Sequence, residues 1–169
     1  QEQWEKKEMV ELCKYYEKLC VKSYKNRQEL GVAAAKDAAA CLRELLEKKQ
    51  EVNCIFAAAP SQNEFLEALV KEPDIDWRRV HAFHMDEYCG LKQGSEGTFS
   101  HYLLNAVFTK VPFGSVHMIN GEKDAREGCS RYGTLLKEHP ADIVFMGIGE
   151  NGHVAFNDPP VADFADKEI

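Results

Sequence analysis

A chain of 169 residues, 44% of them hydrophobic, can close one sizeable core, so its length predicts a single domain over residues 1–169. Its 28 acidic residues outnumber 21 basic ones, and no Lys/Arg cluster interrupts the formal net charge of -7. Neither nucleic acid nor an anionic membrane is therefore expected as a partner. No apolar run approaches the roughly 18 residues of a membrane span, and no signal-peptide core is visible, which predicts a cytoplasmic protein.

The six cysteines contain no CxxC pair and occupy mostly apolar positions. This pattern predicts small buried thiols rather than a disulfide or zinc framework. The histidines at 81, 84, 101 and 117 also lack partners at metal-ligand spacing, so no metal site is expected.

Apolar residues first recur at three- and four-residue steps, which predicts that two amphipathic helices open the chain. The first of these patterns comprises Met9, Leu12, Cys13, Tyr16, Leu19, Cys20 and Tyr24, and the second comprises Ala35, Ala38, Leu42, Leu45 and Leu46.

Beyond residue 50 the pattern alternates between short apolar runs and helical periodicity. Strands separated by helices favour an α/β fold, here a doubly wound, mainly parallel, Rossmann-like sheet with helices on both faces. The predicted strands are Val52–Ala58, Val80–His84, Val116–Ile119 and Ile143–Met146, and the predicted helices are Gln62–Lys71, Phe99–Phe108 and Ala125–Lys137.

Two of the apolar runs end abruptly in ionisable side chains. One run leads into His84-Met-Asp-Glu-Tyr88, and the other leads into Gly147-Ile-Gly-Glu-Asn-Gly-His-Val-Ala-Phe-Asn-Asp158. The carboxyl ends of buried parallel strands look like this at an active-site crevice, so both segments point to one site.

These two segments resemble the active-site signatures of the glucosamine-6-phosphate deaminase/isomerase family. The matching residues are Met85 to Tyr88 and Asn151 to Pro159, and the similarity can be followed from about Asn53 to Pro160. The resemblance implies a small-molecule sugar phosphate as substrate and no cofactor. Enzymes of that family are often oligomeric, so it also allows a homo-oligomer.

Asp86 and Glu87 are the carboxylates of the first segment. Neighbouring residues on a strand point to opposite faces, so at most one of them faces the substrate in the simple case. By resemblance, Asp86 is the base that moves a proton between C2 and C1 of an open-chain sugar, and Glu87 belongs to the substrate-binding set. The alternative for Asp86 is a carboxylate that caps the following turn.

His153 is the titratable residue of the second segment, and it follows a turn-forming Asn-Gly pair. By resemblance, it opens the sugar ring and is oriented by Asn151 and Asp158, while Gly149 and Gly152 bind substrate. Asp158 replaces the usual Glu and is shorter by one methylene group. The alternative is a structural histidine in a turn.

The turn after the first predicted strand is a candidate phosphate site, because a strand-to-helix turn directs backbone N–H groups at an anion. Ala58, Ala59 and Ser61 are its predicted substrate-binding residues. However, Ser61 and Glu64 have the spacing of a capping box, and the family's glycines are missing here. Phosphate contact and simple helix capping therefore remain alternatives.

Three functions follow from these residues. The first is aldose-ketose isomerisation of a hexosamine 6-phosphate, with or without loss of the amine. The second is lactone hydrolysis of the 6-phosphogluconolactonase type, and the third is non-catalytic sensing of a sugar phosphate. Members of the family continue well beyond residue 169, so we expect this chain to be a fragment that lacks the C-terminal part of the fold.

Overall fold

The computed structural model describes residues 10–121, 124–163 and 165–167, and these begin with an antiparallel hairpin. Strand β1 spans Val10–Tyr16 and strand β2 spans Leu19–Tyr24. The prediction of an N-terminal helix is therefore wrong over the described part of its span. Met9, with which that prediction began, lies outside the described residues.

The hairpin forms without the residues that usually mark one. Its two-residue turn is Glu17-Lys18, and Glu17 adopts a left-handed conformation with φ of 53° although it is not glycine. Tyr15, Tyr16 and Val21 favour strands, and packing rather than helical spacing decides their conformation. The turn signal is absent from the sequence, and the apolar spacing imitates a helix.

The second predicted helix is confirmed. Helix α1 spans Arg27–Lys48 and begins where the Asn26 side chain accepts a hydrogen bond of 2.9 Å from the Glu29 N–H. It buries one stripe of residues against the sheet, namely Ala35, Ala39, Leu42 and Leu46.

The remaining elements alternate as predicted. The strands are β3 (Val52–Phe56), β4 (Val80–His84), β5 (Ser115–His117) and β6 (Ile143–Phe145), and the helices are α2 (Asn63–Leu69), α3 (Phe99–Leu103) and α4 (Ala125–Glu138). A π-helical turn, Leu104–Phe108, continues α3, so the predicted helix Phe99–Phe108 is one element with two hydrogen-bonding patterns.

The four later strands pair in parallel in the order β5-β4-β3-β6. This confirms the predicted parallel α/β sheet. The chain runs from β3 through β4 to β5 and then returns to place β6 on the other side of β3. Ligands bind at such a reversal of strand order, because the loops leaving the neighbouring strands diverge there.

Both faces of the sheet are covered by helices. On one face, α1, α2 and the α3 segment pack against the buried side chains of Val52, Cys54, Phe56 and Ala82. On the other face, Phe83 contacts Tyr132 of α4 at a ring-centroid distance of 6.1 Å. Alternate residues of β4 thus belong to two layers, as expected for a sheet buried on both sides.

Cysteine burial differs from the prediction. Of the cysteines, Cys54 is buried, Cys20 is intermediate, and Cys13, Cys41, Cys89 and Cys129 are exposed as free thiols. Helical and strand periodicity identifies apolar positions, but several of these positions lie on the outer faces of α1, α4 and the hairpin. Within the described residues, no helix is long and apolar enough to cross a membrane.

Candidate active site

A cavity of about 350 Å³ opens at the carboxyl ends of β3, β4 and β6. Of the predicted site residues, Ala58, Ala59, Ser61, Asp86, Gly149 and His153 line it. The two sequence segments therefore meet at one site. Glu87, Asn151, Gly152 and Asp158 are not among the lining residues and lie behind or beside those that are.

Asp86 reaches the cavity because strand pairing continues past β4. The Met85 N–H donates a hydrogen bond of 3.2 Å to Phe56 O on the central strand, which fixes the residue immediately before Asp86. Partial burial raises the pKa of Asp86, and the neighbouring Glu87 charge raises it further. Such a carboxylate can hold a proton at a higher pH than an exposed aspartate, as a proton-transfer group requires.

His153 is oriented by a short chain of side chains. Its Nδ1 lies 2.6 Å from Asn151 Oδ1, and Asn151 Nδ2 donates a hydrogen bond of 2.9 Å to Asp158 Oδ1. Because the Asn151 amide is fixed by Asp158, its oxygen faces the ring and assigns the proton to Nδ1. Nε2 of the neutral ring is then the basic nitrogen.

Asp158 acts on the imidazole mainly through Asn151. Its Oδ1 lies 3.5 Å from His153 Nδ1, which is longer than the contact that Asn151 makes. In the structure, Asp158 contacts the Asn151 amide, and this amide contacts the His153 ring.

Backbone conformation around His153 explains the glycines of the loop. A Cβ atom at Gly149 would overlap the His153 ring, so only glycine lets the imidazole lie against that backbone. Gly152 has φ of 86° and supplies the turn that directs His153 back toward Gly149. Ala155 also takes a left-handed φ of 54°, which is strained for alanine, and it lines the cavity.

The predicted capping box at the first turn is wrong. Pro60–Gln62 form a 3-10 turn ahead of α2, and no side chain caps either element. Glu64 instead accepts two hydrogen bonds from Arg27, at 3.0 and 2.7 Å, and Arg27 Nη2 also donates to Pro60 O at 2.7 Å. The Glu64 charge is therefore paired with a guanidinium that periodicity within one helix could not reveal.

Two further contacts hold this turn against the cavity. The Tyr102 hydroxyl lies 2.9 Å from Ala59 O and 2.6 Å from Asn63 Oδ1. On the opposite side, an added Cβ at Gly147 would lie 3.6 Å from Ser61 Oγ, so the β3 and β6 loops touch. Tyr102 lies within the predicted helix Phe99–Phe108, and sequence periodicity gives no signal for this hydrogen-bonding role.

Aromatic side chains form one wall of the cavity. The Tyr88 ring centroid lies 4.7 Å from that of Phe99 and 5.6 Å from that of Phe156. Tyr88 and Phe156 remain 45% and 50% exposed. Phe99 lines the cavity because it starts α3 just after the exposed β4 loop.

Glu87 points away from the cavity that Asp86 and His153 line. Its two carboxylate oxygens accept backbone hydrogen bonds from Tyr88, Phe99 and Ser100, at 3.0, 2.9 and 2.9 Å. A neighbouring cavity of about 340 Å³, which also includes Asp86 and Phe156, is lined by this side chain. The structure therefore places Glu87 beside Asp86, with its carboxylate oxygens already occupied by these hydrogen bonds.

Few charged side chains line this cavity. No lysine or arginine is among the side chains that line the cavity in the described part of the chain. Within the same residues, no group of three or more His, Cys, Asp or Glu side chains is arranged to hold a metal ion. Asp86 and His153 supply the carboxylate and the imidazole that line this cavity, and both are side chains of kinds that serve as proton-transfer groups.

Comparison with known proteins agrees with this arrangement. Residues 25–158 match the family described as glucosamine-6-phosphate isomerases/6-phosphogluconolactonase. The chain has an α/β fold with the family's two signature segments joined at one cavity, and it belongs to this family.

Two relatives by sequence are named glucosamine-6-phosphate deaminases. The chain is 40% identical over 110 residues to a glucosamine-6-phosphate deaminase of Listeria welshimeri, a match that covers 64% of this chain and 47% of the relative. It is 38% identical over 120 residues to the enzyme of that name from Listeria monocytogenes, with 69% and 51% covered. The chain thus spans about half the length of these relatives.

Solved structures show the same fold. A monomeric glucosamine-6-phosphate deaminase superposes with a TM-score of 0.70 at 24% identity, covering 79% of this chain and 57% of that one. A 6-phosphogluconolactonase from Thermotoga maritima superposes with a TM-score of 0.67 at 21% identity, covering 75% and 59%.

Proposed function

We propose that the whole protein isomerises and deaminates a hexosamine 6-phosphate, converting glucosamine 6-phosphate and water into fructose 6-phosphate and ammonia. The observation that carries this proposal is the convergence of Asp86 and an Asn151-oriented His153 on one cavity. The chain's relatives at 38 to 40% identity are named glucosamine-6-phosphate deaminases, which supports the same reaction.

Ring opening is assigned to His153. Its basic Nε2 takes the proton from the anomeric hydroxyl and returns a proton to the ring oxygen as the C1–O bond to that oxygen breaks. The Asn151 oxygen stabilises the protonated ring that forms between these two transfers. Asp158 in turn holds the amide in the required orientation.

Isomerisation is assigned to Asp86. Its carboxylate takes the proton from C2 of the open-chain sugar and delivers it to C1, while a second proton passes from the amine nitrogen to the C1 oxygen. The C1 aldehyde thereby becomes an alcohol, and C2 becomes an imine. Water then adds to C2, and ammonia leaves. Because burial raises the pKa of Asp86, its carboxylate is a stronger base toward the C2 proton than an exposed aspartate.

Phosphate binding is proposed at the turn formed by Ala58, Ala59 and Ser61, which lines the cavity. Ser61 supplies a hydroxyl, and Arg27 lies at the same turn through its bond to Pro60 O. This turn contains no glycine, so we assign to it only part of the phosphate binding. Since the chain spans about half the length of its relatives, we assign the remainder to parts of the family fold that these residues do not cover.

A 6-phosphogluconolactonase activity is the second candidate, since structural neighbours include enzymes of that name. In that case His153 would activate water for attack on a lactone carbonyl, and no C2 proton transfer would be required. Tyr88 and the segment Ala155 to Pro159 match the deaminase signature more fully, which favours the first proposal.

The test is a comparison of three readouts on the full-length protein. Ammonia and fructose 6-phosphate release from glucosamine 6-phosphate supports the proposal. Hydrolysis of 6-phosphogluconolactone with no ammonia release replaces it by the second candidate. Saturable binding of a hexose phosphate with no turnover of either substrate means that the protein is a sensor.

We also propose a cytoplasmic setting. The free cysteines, four of which are exposed at 13, 41, 89 and 129, fit a compartment that keeps thiols reduced. The oligomeric state stays a prediction, and sedimentation of the full-length protein measures it.

A further inference from the structure

The carboxylate of Glu87 is bound by three backbone N–H donors. It accepts hydrogen bonds from the N–H groups of Tyr88, Phe99 and Ser100, all within 3.0 Å. Glu87 directly follows the proposed base, and it belongs to the loop between β4 and α3. These contacts tie the two ends of that loop together.

The first two residues of α3 provide the reason for this arrangement. A helix begins with N–H groups that have no partner within the helix. Thr98 Oγ1 accepts the bond from the His101 N–H, at 3.1 Å, which leaves Phe99 and Ser100 to be satisfied from elsewhere. Glu87 satisfies both of them from across the loop, so the start of α3 is fixed to the end of β4.

Fixing α3 in this way also fixes the aromatic wall. Phe99 is bound through its backbone to Glu87, and its ring packs 4.7 Å from that of Tyr88. Tyr88 donates its own N–H to the same carboxylate. One side chain therefore determines where both rings stand relative to Asp86.

Glu87 also sets the charge beside the proposed base. Around Asp86, the ionisable side chains that share its two cavities are His153, Tyr88, Glu87, Cys89, Cys129 and Tyr132. Glu87 is the carboxylate in this group. Burial opposes the charged form of Glu87, but its backbone hydrogen bonds together outweigh burial and lower its pKa, which favours the ionised carboxylate.

We propose that Glu87 is a positioning residue for the Asp86 base, holding the β4–α3 loop and keeping a fixed negative charge next to the reacting carboxylate. It is not assigned a contact with substrate. This inference rests on the proposed isomerisation, because it concerns the group that moves the C2 proton.

The test is the pH dependence of kcat/KM for full-length Glu87→Gln. Glutamine removes the charge, so the pKa of Asp86 should fall and the acid limb of the profile should move to lower pH, by about half a unit or more. Glu87→Asp keeps the charge, so its acid limb should stay within about 0.2 units of the wild type even where kcat falls. Glu96→Gln, at an exposed position in the same loop, is the matched control and should leave the profile unchanged.

A structural role alone would lower kcat in Glu87→Gln without moving the acid limb, and this result would overturn the proposal. Titration of the Asp86 carboxyl carbon by NMR separates this failure from failure of the proposed function. If the full-length protein releases no ammonia, a lower Asp86 pKa in Glu87→Gln than in the wild type still supports the charge effect. An unchanged pKa rejects it, whatever reaction the protein performs.

Discussion

Asn151 is the residue on which the orientation of His153 depends. It contacts both the ring nitrogen and Asp158, so the position of the imidazole is set two residues before the histidine itself. An acid that reaches the ring only at 3.5 Å can still matter through the amide between them. The substitution of Asp for Glu at 158 is therefore compatible with an active histidine.

Substitutions at Asn151 test whether its side chain orients the His153 ring. Asn151→Ala removes the acceptor for Nδ1–H and frees the ring, so kcat should fall by roughly 10- to 100-fold with little change in the folded structure. Asn151→Asp restores an acceptor and should recover most of the rate. Steady-state ammonia release measures both variants. Equal losses in the two would show that the ring is held by something other than this acceptor.

The charge of Glu64 is paired with Arg27, and this pairing affects how much positive charge is free at the turn proposed to bind phosphate. Glu64→Gln weakens that pair and leaves a cation at the phosphate turn. We expect roughly threefold tighter binding of glucosamine 6-phosphate and unchanged binding of glucosamine. Isothermal titration of the full-length variant with both sugars measures this difference.

Glu67→Gln is the matched control for that change, since Glu67 lies on the same helix and pairs with Lys71 instead. It removes the same charge at a distance from the turn and should leave both affinities unaltered. Identical shifts for the phosphorylated and the unphosphorylated sugar in Glu64→Gln would mean that this turn does not bind phosphate.

At the scale of elements, His84 joins three parts of the fold. It ends β4, and its Nε2 accepts a hydrogen bond of 2.8 Å from the Ile119 N–H beyond β5. Its backbone N–H donates to the Tyr132 hydroxyl of α4 at 2.9 Å. Burial lowers the pKa of His84 to about 4, so the folded protein keeps this ring neutral.

This depressed pKa makes the stability of the fold depend on pH. Above about pH 6.5 the ring is neutral in both the folded and the unfolded chain, but below it the unfolded chain takes up the proton first. The free energy of unfolding should fall by about 3 kcal/mol as pH decreases from 6.5 to 4. Urea unfolding of the full-length protein at several pH values measures this slope.

His84→Gln should lose the His84 part of that slope, although it is less stable at pH 7 because Ile119 N–H loses its acceptor. His101→Gln is the control, since His101 lies outside the core on α3. The same pH slope in His84→Gln and the wild type would remove His84 as its source.

Elements with a local signal were predictable from the sequence. Strand β4 was predicted with its bounds of Val80–His84, because both flanks carry clear changes in polarity. The hairpin at Val10–Tyr24 was not, since its turn lacks glycine and asparagine and its apolar spacing fits a helix. Short-range periodicity cannot distinguish these cases when the deciding contacts are between strands.

For the site too, residues with a local sequence signal were predicted and contacts between distant residues were not. Asp86 and His153 were predicted from motifs at strand ends, and the structure brings them to one cavity. The pairing of Arg27 with Glu64 and the bond from Tyr102 to Ala59 O were not predicted. They join residues 37 and 43 positions apart, and only the packing of α1 and α3 against the β3 turn creates them.

At the scale of the whole molecule, strand order explains why these residues meet. Strand β3 is central, and β4 and β6 pair with it on either side. The turn with Ser61, the loop with Asp86 and the loop with His153 therefore leave the same edge of the sheet from three adjacent strands. One cavity between them is a consequence of this topology.

Asp86 is proposed to move the C2 proton in this cavity. The most direct test of this proposal is turnover of glucosamine 6-phosphate in D₂O by the full-length protein and by Asp86→Asn, which keeps the side-chain shape but removes the proton acceptor. Because exchange of the Asp86 carboxyl proton with solvent competes with its delivery to C1, the wild type should release ammonia and fructose 6-phosphate that is partly labelled with deuterium at C1. The variant should be slower by roughly 100-fold or more, with no deuterium entering the sugar. Near-normal turnover and labelling by Asp86→Asn would contradict this assignment.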